Sequence, residues 1–145
     1  MNATAKSNLI SCLFETEKLP LEEQIVSKDL AVKKFIQKVE SLPIGVQVVL
    51  DDLNDPTSIV GIVSERDVIK KVLAKKKDVE TTMVGEIMTT NVLILDENEK
   101  LIELIRAFRE KKIRHVPVVD NEKKIVQILT EKNIISYLAS KIFLL

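Results

Sequence analysis

The sequence is poor in the residues that most reactive sites require. Its 145 residues include a single cysteine, Cys12, and a single histidine, His115. One cysteine cannot form an intramolecular disulfide and leaves too few ligands for a structural zinc site, so we predict no metal site. One histidine far from one cysteine rules out most nucleophile–base pairs, and we therefore predict a protein that is not an enzyme.

The chain also lacks an excess of charge of either sign, because 22 Lys and Arg balance 22 Asp and Glu. Nucleic-acid binding depends on phosphate neutralisation, and the few aromatic residues are scattered singly, so we predict no nucleic-acid partner. The sequence contains no run of 18 apolar residues and no secretory signal at its N-terminus. These absences predict a cytoplasmic protein that has no membrane-spanning segment.

The main positive feature is an internal repeat. Residues 58–69 align with residues 124–135, with identities that include Ile62/Ile128 and Glu65/Glu131 and with conservative replacements at most other positions. Upstream, residues 44–51 align with residues 113–120. The number of residues that separates equivalent positions is 66 for the first alignment and 69 for the second. This offset changes within the loop 52–57, which is rich in Asp, Asn and Pro and tolerates insertion. The pattern therefore predicts a tandem duplication.

Each copy predicts the same β-α-β-β-α order, and the fold class is α+β, with a small three-stranded sheet and two helices per copy. The strands are apolar throughout, which predicts sheets covered on both faces. In the first copy the strands are predicted at 24–26, 46–50 and 59–63, and the helices at 29–40 and 65–76. In the second copy the strands are predicted at 92–95, 116–119 and 125–129, and the helices at 100–112 and from Glu131 onward.

The same pattern predicts the domain boundaries. The N-terminal segment is 1–17, the first repeat 18–76, the linker 77–83 and the second repeat 84–145. For the N-terminal segment two alternatives stay open, which are a short helix through Leu9, Leu13 and Phe14 or a loose tail.

Three segments carry a resemblance to a known family. Residues 84–92, with the sequence VGEIMTTNV, resemble the segment that opens a CBS domain (the cystathionine beta-synthase type). Residues 113–120 and 125–131 resemble its later strands. Together with the duplication, the resemblance covers about residues 18–142. It implies a tandem CBS pair, or Bateman module, whose members sense adenosine-containing ligands such as AMP, ADP, ATP or S-adenosylmethionine in the cleft between the repeats.

The run GIVSERD from Gly61 to Asp67 resembles the nucleotide signature of that family. The resemblance implies that Gly61, Ile62, Ser64 and Asp67 bind the ligand. A serine hydroxyl can meet a phosphate, a carboxylate can accept hydrogen bonds from two ribose hydroxyls, and a glycine leaves room for a base. The alternative is a capping box, in which the serine and the aspartate only satisfy backbone N–H groups. The two roles can coexist.

The resemblance also implies that basic residues of the other copy, Arg114, His115 and Lys132, meet the phosphates. Their alternative role is that of solvated or structural side chains. A weaker second site is predicted at Thr130 and Asn133. It is weaker because Gln127 and Asn133 replace the glycine and the aspartate of the signature.

These observations predict a non-enzymatic regulatory sensor of adenine nucleotides. We expect a homodimer formed through the helices and a signal passed to an unidentified protein target. The alternative is a constitutive dimerisation or partner-docking module whose ligand sites are vestigial. An enzyme acting on nucleotides would need Glu65 or Glu131 as a general base, but helix electrostatics favours a first-turn glutamate in any case.

Overall fold

The computed structural model describes residues 8–16 and 18–143, which form two three-stranded sheets of the same topology. In the first sheet, β1 (Ile25–Ser27) pairs in parallel with β2 (Val46–Leu50), and β2 pairs antiparallel with β3 (Ile59–Ser64). In the second sheet, β4 (Leu95–Asp96), β5 (His115–Val119) and β6 (Ile125–Thr130) repeat this arrangement. The predicted α+β class and the duplicated three-stranded sheet are confirmed.

The helices follow the same repeat. In the first half, α1 spans Val32–Glu40, and α2 spans Glu65–Val68 and continues into a π-helical turn at Ile69–Leu73. A short helix, α3, spans Val84–Ile87. In the second half, α4 spans Leu101–Glu110 and α5 spans Glu131–Phe143. Two short 3-10 helices lie at Ile10–Leu13 and Leu21–Glu23.

The chain divides into two compact units. One unit is Pro20–Val92, and the other contains Leu93 onward together with the described residues that precede Pro20. The division follows packing, whereas the repeat boundaries at 18, 77 and 84 follow the sequence pattern and stay a prediction.

Each sheet is covered by a short apolar segment that lies outside its own sequence repeat. Residues 83–88 cover the first sheet, and residues 9–14 cover the second. Met83 forms a β-bridge with Ala31, and Leu9 forms one with Lys100. Lys100 is the counterpart of Ala31 in the second copy, because the two positions are 69 residues apart, the same offset that relates β2 to β5. Each sheet needs such a segment because three short strands and two helices leave part of its apolar surface uncovered.

The two covering segments fill equivalent places in the two cores. In the first unit, Val84 and Ile87 are buried against a core of β-branched residues and Phe35. In the second unit, Ile10 and Leu13 are completely buried, beside Leu104 and Leu129. Of the two alternatives for the N-terminal segment, its described part adopts a short 3-10 helix through Leu13.

Two predicted elements differ from the structure. The strand predicted at 92–95 is only Leu95–Asp96, because only these two residues pair with β5. The helix predicted at 65–76 is α-helical only over Glu65–Val68 and continues as a π-helical turn at Ile69–Leu73. On the last helix, the apolar side chains of Ile135 and Ile142 are 64% and 69% exposed, because residues 9–14 already cover part of the core.

We predict that Leu13→Ala destabilises the protein by about 2–4 kcal/mol, because it removes a fully buried side chain from the second core. Leu53→Ala is the matched control, since Leu53 is 52% exposed and its truncation should cost less than about 0.5 kcal/mol. Urea unfolding of the wild type and both variants measures the difference. Equal stabilities for the two variants would contradict the covering role of residues 9–14.

Candidate functional site

Ser64 and Asp67 meet where β3 ends and α2 begins. The Ser64 backbone N–H donates to Asp67 Oδ2 at 2.9 Å, and the Asp67 backbone N–H donates to Ser64 Oγ at 3.3 Å. The Ser64 hydroxyl also lies 3.2 Å from Asp67 Oδ2. A reciprocal capping box is therefore present at this corner. It holds the carboxylate in one orientation, with only 12% of the side chain exposed.

A lysine completes this corner. Lys71 Nζ lies 3.0 Å from Asp67 Oδ1 and donates a hydrogen bond of 2.8 Å to the Ile87 carbonyl. Its side chain is 42% exposed. Lys71 is not among the site residues predicted from the sequence, although its position four residues after Asp67 is the usual spacing of a helical ion pair.

Gly61 lies against the covering segment, and its predicted role of leaving room for a base stays a prediction. A Cβ at this position would lie 2.7 Å from the Thr89 carbonyl and 2.8 Å from Met88 Sδ. The neighbouring Ile62 exchanges backbone hydrogen bonds with Thr89 at 3.0 and 2.8 Å. Glycine is therefore needed because the covering segment approaches β3 too closely for any side chain.

The second unit builds a similar corner from Thr130 and Asn133. The Thr130 backbone N–H donates to Asn133 Oδ1 at 2.9 Å, and the Thr130 hydroxyl lies 3.1 Å from the same atom. The Asn133 amide nitrogen donates to the Thr16 carbonyl at 2.8 Å and to its hydroxyl at 3.0 Å. This corner is closed by direct hydrogen bonds to the N-terminal segment.

Gln127 occupies the position that Gly61 has in the first unit. It is 2% exposed, and its Oε1 is buried without a hydrogen-bond partner among residues 8–16 and 18–143. Burial of an unsatisfied amide oxygen costs about 1–3 kcal/mol. The replacement of glycine by glutamine therefore fills space in the second unit at some cost in stability.

The predicted site residues fall into two groups that belong to different units. Gly61, Ile62, Ser64 and Asp67 lie together along β3 and α2 of the first unit. The other group lies in the second unit. There His115 is opposite Thr130 in the β5–β6 strand pair, and the Thr130 backbone N–H donates to the Asn133 side chain. The remaining two members of that group, Arg114 and Lys132, are exposed.

Two properties of the described residues bear on other functions. No group of three or more His, Cys, Asp or Glu side chains in residues 8–16 and 18–143 is placed to hold a metal ion. In the same part of the chain, no helix is both long and apolar enough to span a bilayer.

His115 provides a pH-dependent contribution to stability. Burial and, to a smaller extent, the Arg114 charge lower its pKa below 6.5. As the pH falls, His115 therefore takes up a proton in the unfolded chain before it does so in the folded protein. The contribution of His115 to the free energy of unfolding is complete above pH 6.5 and decreases below it, by at most about 1.4 kcal/mol per pH unit.

We predict that the wild type loses more stability than His115→Gln between pH 7.5 and pH 5.5, because glutamine takes up no proton. Urea unfolding at both pH values measures the two losses. Equal losses in the two proteins would show that His115 titrates alike in the folded and unfolded states.

Comparison with known proteins places this geometry in a family. The family model described as "CBS domain" matches residues 84–140. Hypoxic response protein 1 of Mycobacterium tuberculosis is 31% identical over 84 residues, which are 58% of each chain. An uncharacterized protein of Methanopyrus kandleri is 29% identical over 98 residues, which are 68% of this chain and 48% of the relative. The matches thus span about half the length of these curated relatives.

Solved structures agree with the sequence matches. A crystal structure of a CBS domain superposes with a TM-score of 0.75 at 28% identity, covering 88% of this chain and 94% of the other. The protein CBSX2, crystallised in complex with AMP, gives a TM-score of 0.66 at 26% identity, with 81% and 88% coverage. The duplicated sheets, the repeated corner and the match over residues 84–140 identify this chain as a CBS-domain protein with the fold of a tandem CBS pair.

Proposed function

We propose that this chain binds an adenine nucleotide at the Ser64–Asp67 corner and acts as a regulatory module without catalysis. The Asp67 carboxylate carries the proposal. Two ribose hydroxyls need a fixed pair of acceptor oxygens, and the Ser64 backbone holds this carboxylate in place at 2.9 Å. The capping box does not conflict with this role, because each carboxylate oxygen has more than one lone pair.

Similarity to CBSX2 supports the choice of ligand. That protein was crystallised with AMP and shares 26% of its residues with this chain over 81% of the chain. An adenosine-containing ligand (AMP, ADP, ATP or S-adenosylmethionine) is therefore the class we propose, with cytoplasm as the expected compartment. We also keep Arg114, His115 and Lys132 as candidate phosphate ligands, and Thr130 and Asn133 as the weaker second site.

Two features weaken the proposed second site. Asn133 uses both of its amide hydrogen bonds on Thr16, and its Oδ1 accepts from Thr130. Gln127 is buried where the signature has glycine. We therefore propose one principal site in each chain, at Asp67.

A dye-based thermal unfolding assay tests the principal site. Ligand at about 100 times its Kd stabilises the folded state by about 2.7 kcal/mol, which raises Tm by roughly 5–10 °C for a chain of this size. We expect this shift with at least one of AMP, ADP, ATP and S-adenosylmethionine. GTP serves as the control for the base.

Asp67→Asn should abolish the shift, because the amide offers one acceptor oxygen in place of two. The amide is compatible with the fold, as Asn133 accepts the equivalent bonds in the second unit. Asp29→Asn is the matched control, because it removes the same charge from an exposed position of the same unit. Loss of the shift in both variants, or in neither, would contradict the role of Asp67.

A second candidate function, assembly of two copies through the helices, is favoured by apolar grooves on both units. In the first unit, Ile69 and Leu73 of the segment after α2 line a groove of about 310 Å³ against α1, and each is 59% exposed. In the second unit, Ile135 and Leu138 line a groove of about 400 Å³ against α4. Because the two faces are alike, a second copy of this chain is the occupant we propose for them.

The double variant Ile69→Glu with Ile135→Glu should be monomeric, while the wild type is a dimer, because a charge in an apolar interface is desolvated without a partner. Sedimentation velocity measures both. Leu53→Glu is the matched control, since it introduces the same change at an exposed loop position. A monomeric wild type, or a double variant that still dimerises, would overturn this assembly.

A further inference from the structure

The Lys71 ammonium joins two parts of the first unit that are distant in sequence. It contacts Asp67 Oδ1 at 3.0 Å and the Ile87 carbonyl at 2.8 Å. The first contact lies at the corner described above, and the second lies at the end of α3 in the segment that covers the sheet. One side chain therefore connects the carboxylate to the covering segment.

The backbone around Lys71 is distinctive. Residues 69–73 form a π-helical turn, in which the Ala74 N–H donates to the Ile69 carbonyl, five residues back. The equivalent helix of the second unit, Glu131–Phe143, is α-helical. π-Helical turns in proteins are often found at functional sites.

The second unit makes the same connection by different chemistry. There Asn133 donates directly to Thr16 of the N-terminal segment. An ionised aspartate has no proton to donate, so Asp67 cannot hold its covering segment in this way. The Lys71 ammonium supplies the missing donors, and the connection in the first unit depends on an ion pair whose lysine is partly exposed.

A ligand diol would compete with this ion pair. Asp67 Oδ2 already accepts from the Ser64 backbone at 2.9 Å, and Oδ1 faces Lys71. Oδ2 also lies 3.2 Å from the Ser64 hydroxyl, so the open acceptor sites of the carboxylate are on Oδ1. Two ribose hydroxyls that bind there compete with the Lys71 ammonium for this oxygen.

We propose that Lys71 is a competing cation at the ligand carboxylate, so that a diol bound at Asp67 displaces its ammonium and releases the Ile87 carbonyl. This inference rests on the proposed nucleotide function. It adds a residue that sets ligand affinity and couples occupancy of Asp67 to the segment Val84–Ile87. Coupling is reciprocal, so weakening the link to Ile87 must also strengthen binding at Asp67.

The first experiment measures binding of adenosine, which has the diol but no phosphate, so the overall charge of the variants has little effect. Lys71→Met removes the ammonium and keeps an unbranched side chain, and it should bind adenosine about threefold to fivefold more tightly, as expected for loss of a partly exposed ion pair. Lys70→Met is the matched control, because it removes one charge from the exposed neighbouring position. Lys71→Arg, which keeps charged donors, should restore wild-type affinity.

A ligand without the diol provides the chemical control. The gain in Lys71→Met should vanish with 2′,3′-dideoxyadenosine, which has no hydroxyls to offer to Asp67. Unchanged or weaker adenosine binding in Lys71→Met, or an equal gain for the dideoxy compound, would overturn the competition.

The second experiment uses hydrogen exchange without any nucleotide. Peptides that contain Met88 and Thr89 should exchange up to about fivefold faster in Lys71→Met than in Lys70→Met, because the Ile87 carbonyl has lost its tether. Equal exchange would overturn the link to the covering segment.

The two experiments separate the two proposals. If neither the wild type nor any variant binds adenosine or AMP, the proposed function fails and the coupling fails with it, whatever the exchange rates. If the wild type binds but Lys71→Met and Lys70→Met bind alike, only the role of Lys71 fails.

Discussion

The fold depends on burial of the apolar faces of two very small sheets. Three strands and two helices cannot exclude water from both faces of such a sheet, and an exposed face would forfeit about 25 cal/mol for every Å² left in water. The covering segments 9–14 and 83–88 solve this problem in the same way in both units. Each contributes two side chains with at most 1% exposure, namely Ile10 and Leu13 in one case and Val84 and Ile87 in the other.

The same constraint shapes the corner at Ser64 and Asp67. The covering segment and the residue that follows it, Thr89, run so close to β3 that Gly61 has no space for a Cβ, and the Thr89 backbone hydrogen bonds to Ile62. In the second unit a buried glutamine stands at the equivalent position, and an asparagine donates to the N-terminal segment. The packing is therefore the same in both units, but the chemistry of the corner differs. The first unit has the Asp67 carboxylate with the Lys71 ammonium, and the second unit has the Asn133 amide.

Much of this architecture follows from the sequence because the repeat displays it twice. The strands at 46–50 and 59–64 are short apolar runs bounded by turn residues, and their counterparts at 115–119 and 125–130 repeat the pattern. The Ser64–Asp67 capping box is equally local, since its two residues are three apart. Such features need no knowledge of distant contacts.

Features that depend on distant contacts could not be predicted in this way. The space at Gly61 is set by residues 27 and 28 positions further along the chain. The contact between Lys71 and Ile87 depends on the path of a 16-residue connection, and the contact between Asn133 and Thr16 spans 117 residues. The exposure of the last helix also depends on packing, because residues 9–14 already cover part of the core it would otherwise meet.

The placement of the N-terminal segment has a consequence for synthesis on the ribosome. Pro20–Val92 is continuous in sequence, so all of its core is present once Val92 has emerged. Ile10 donates its backbone hydrogen bond to Glu99, and its neighbours in the core extend to Leu129. The apolar side chains of Ile10 and Leu13 are therefore translated before Pro20–Val92 yet become buried only after Leu129 has emerged, so the nascent chain carries them exposed while Pro20–Val92 folds.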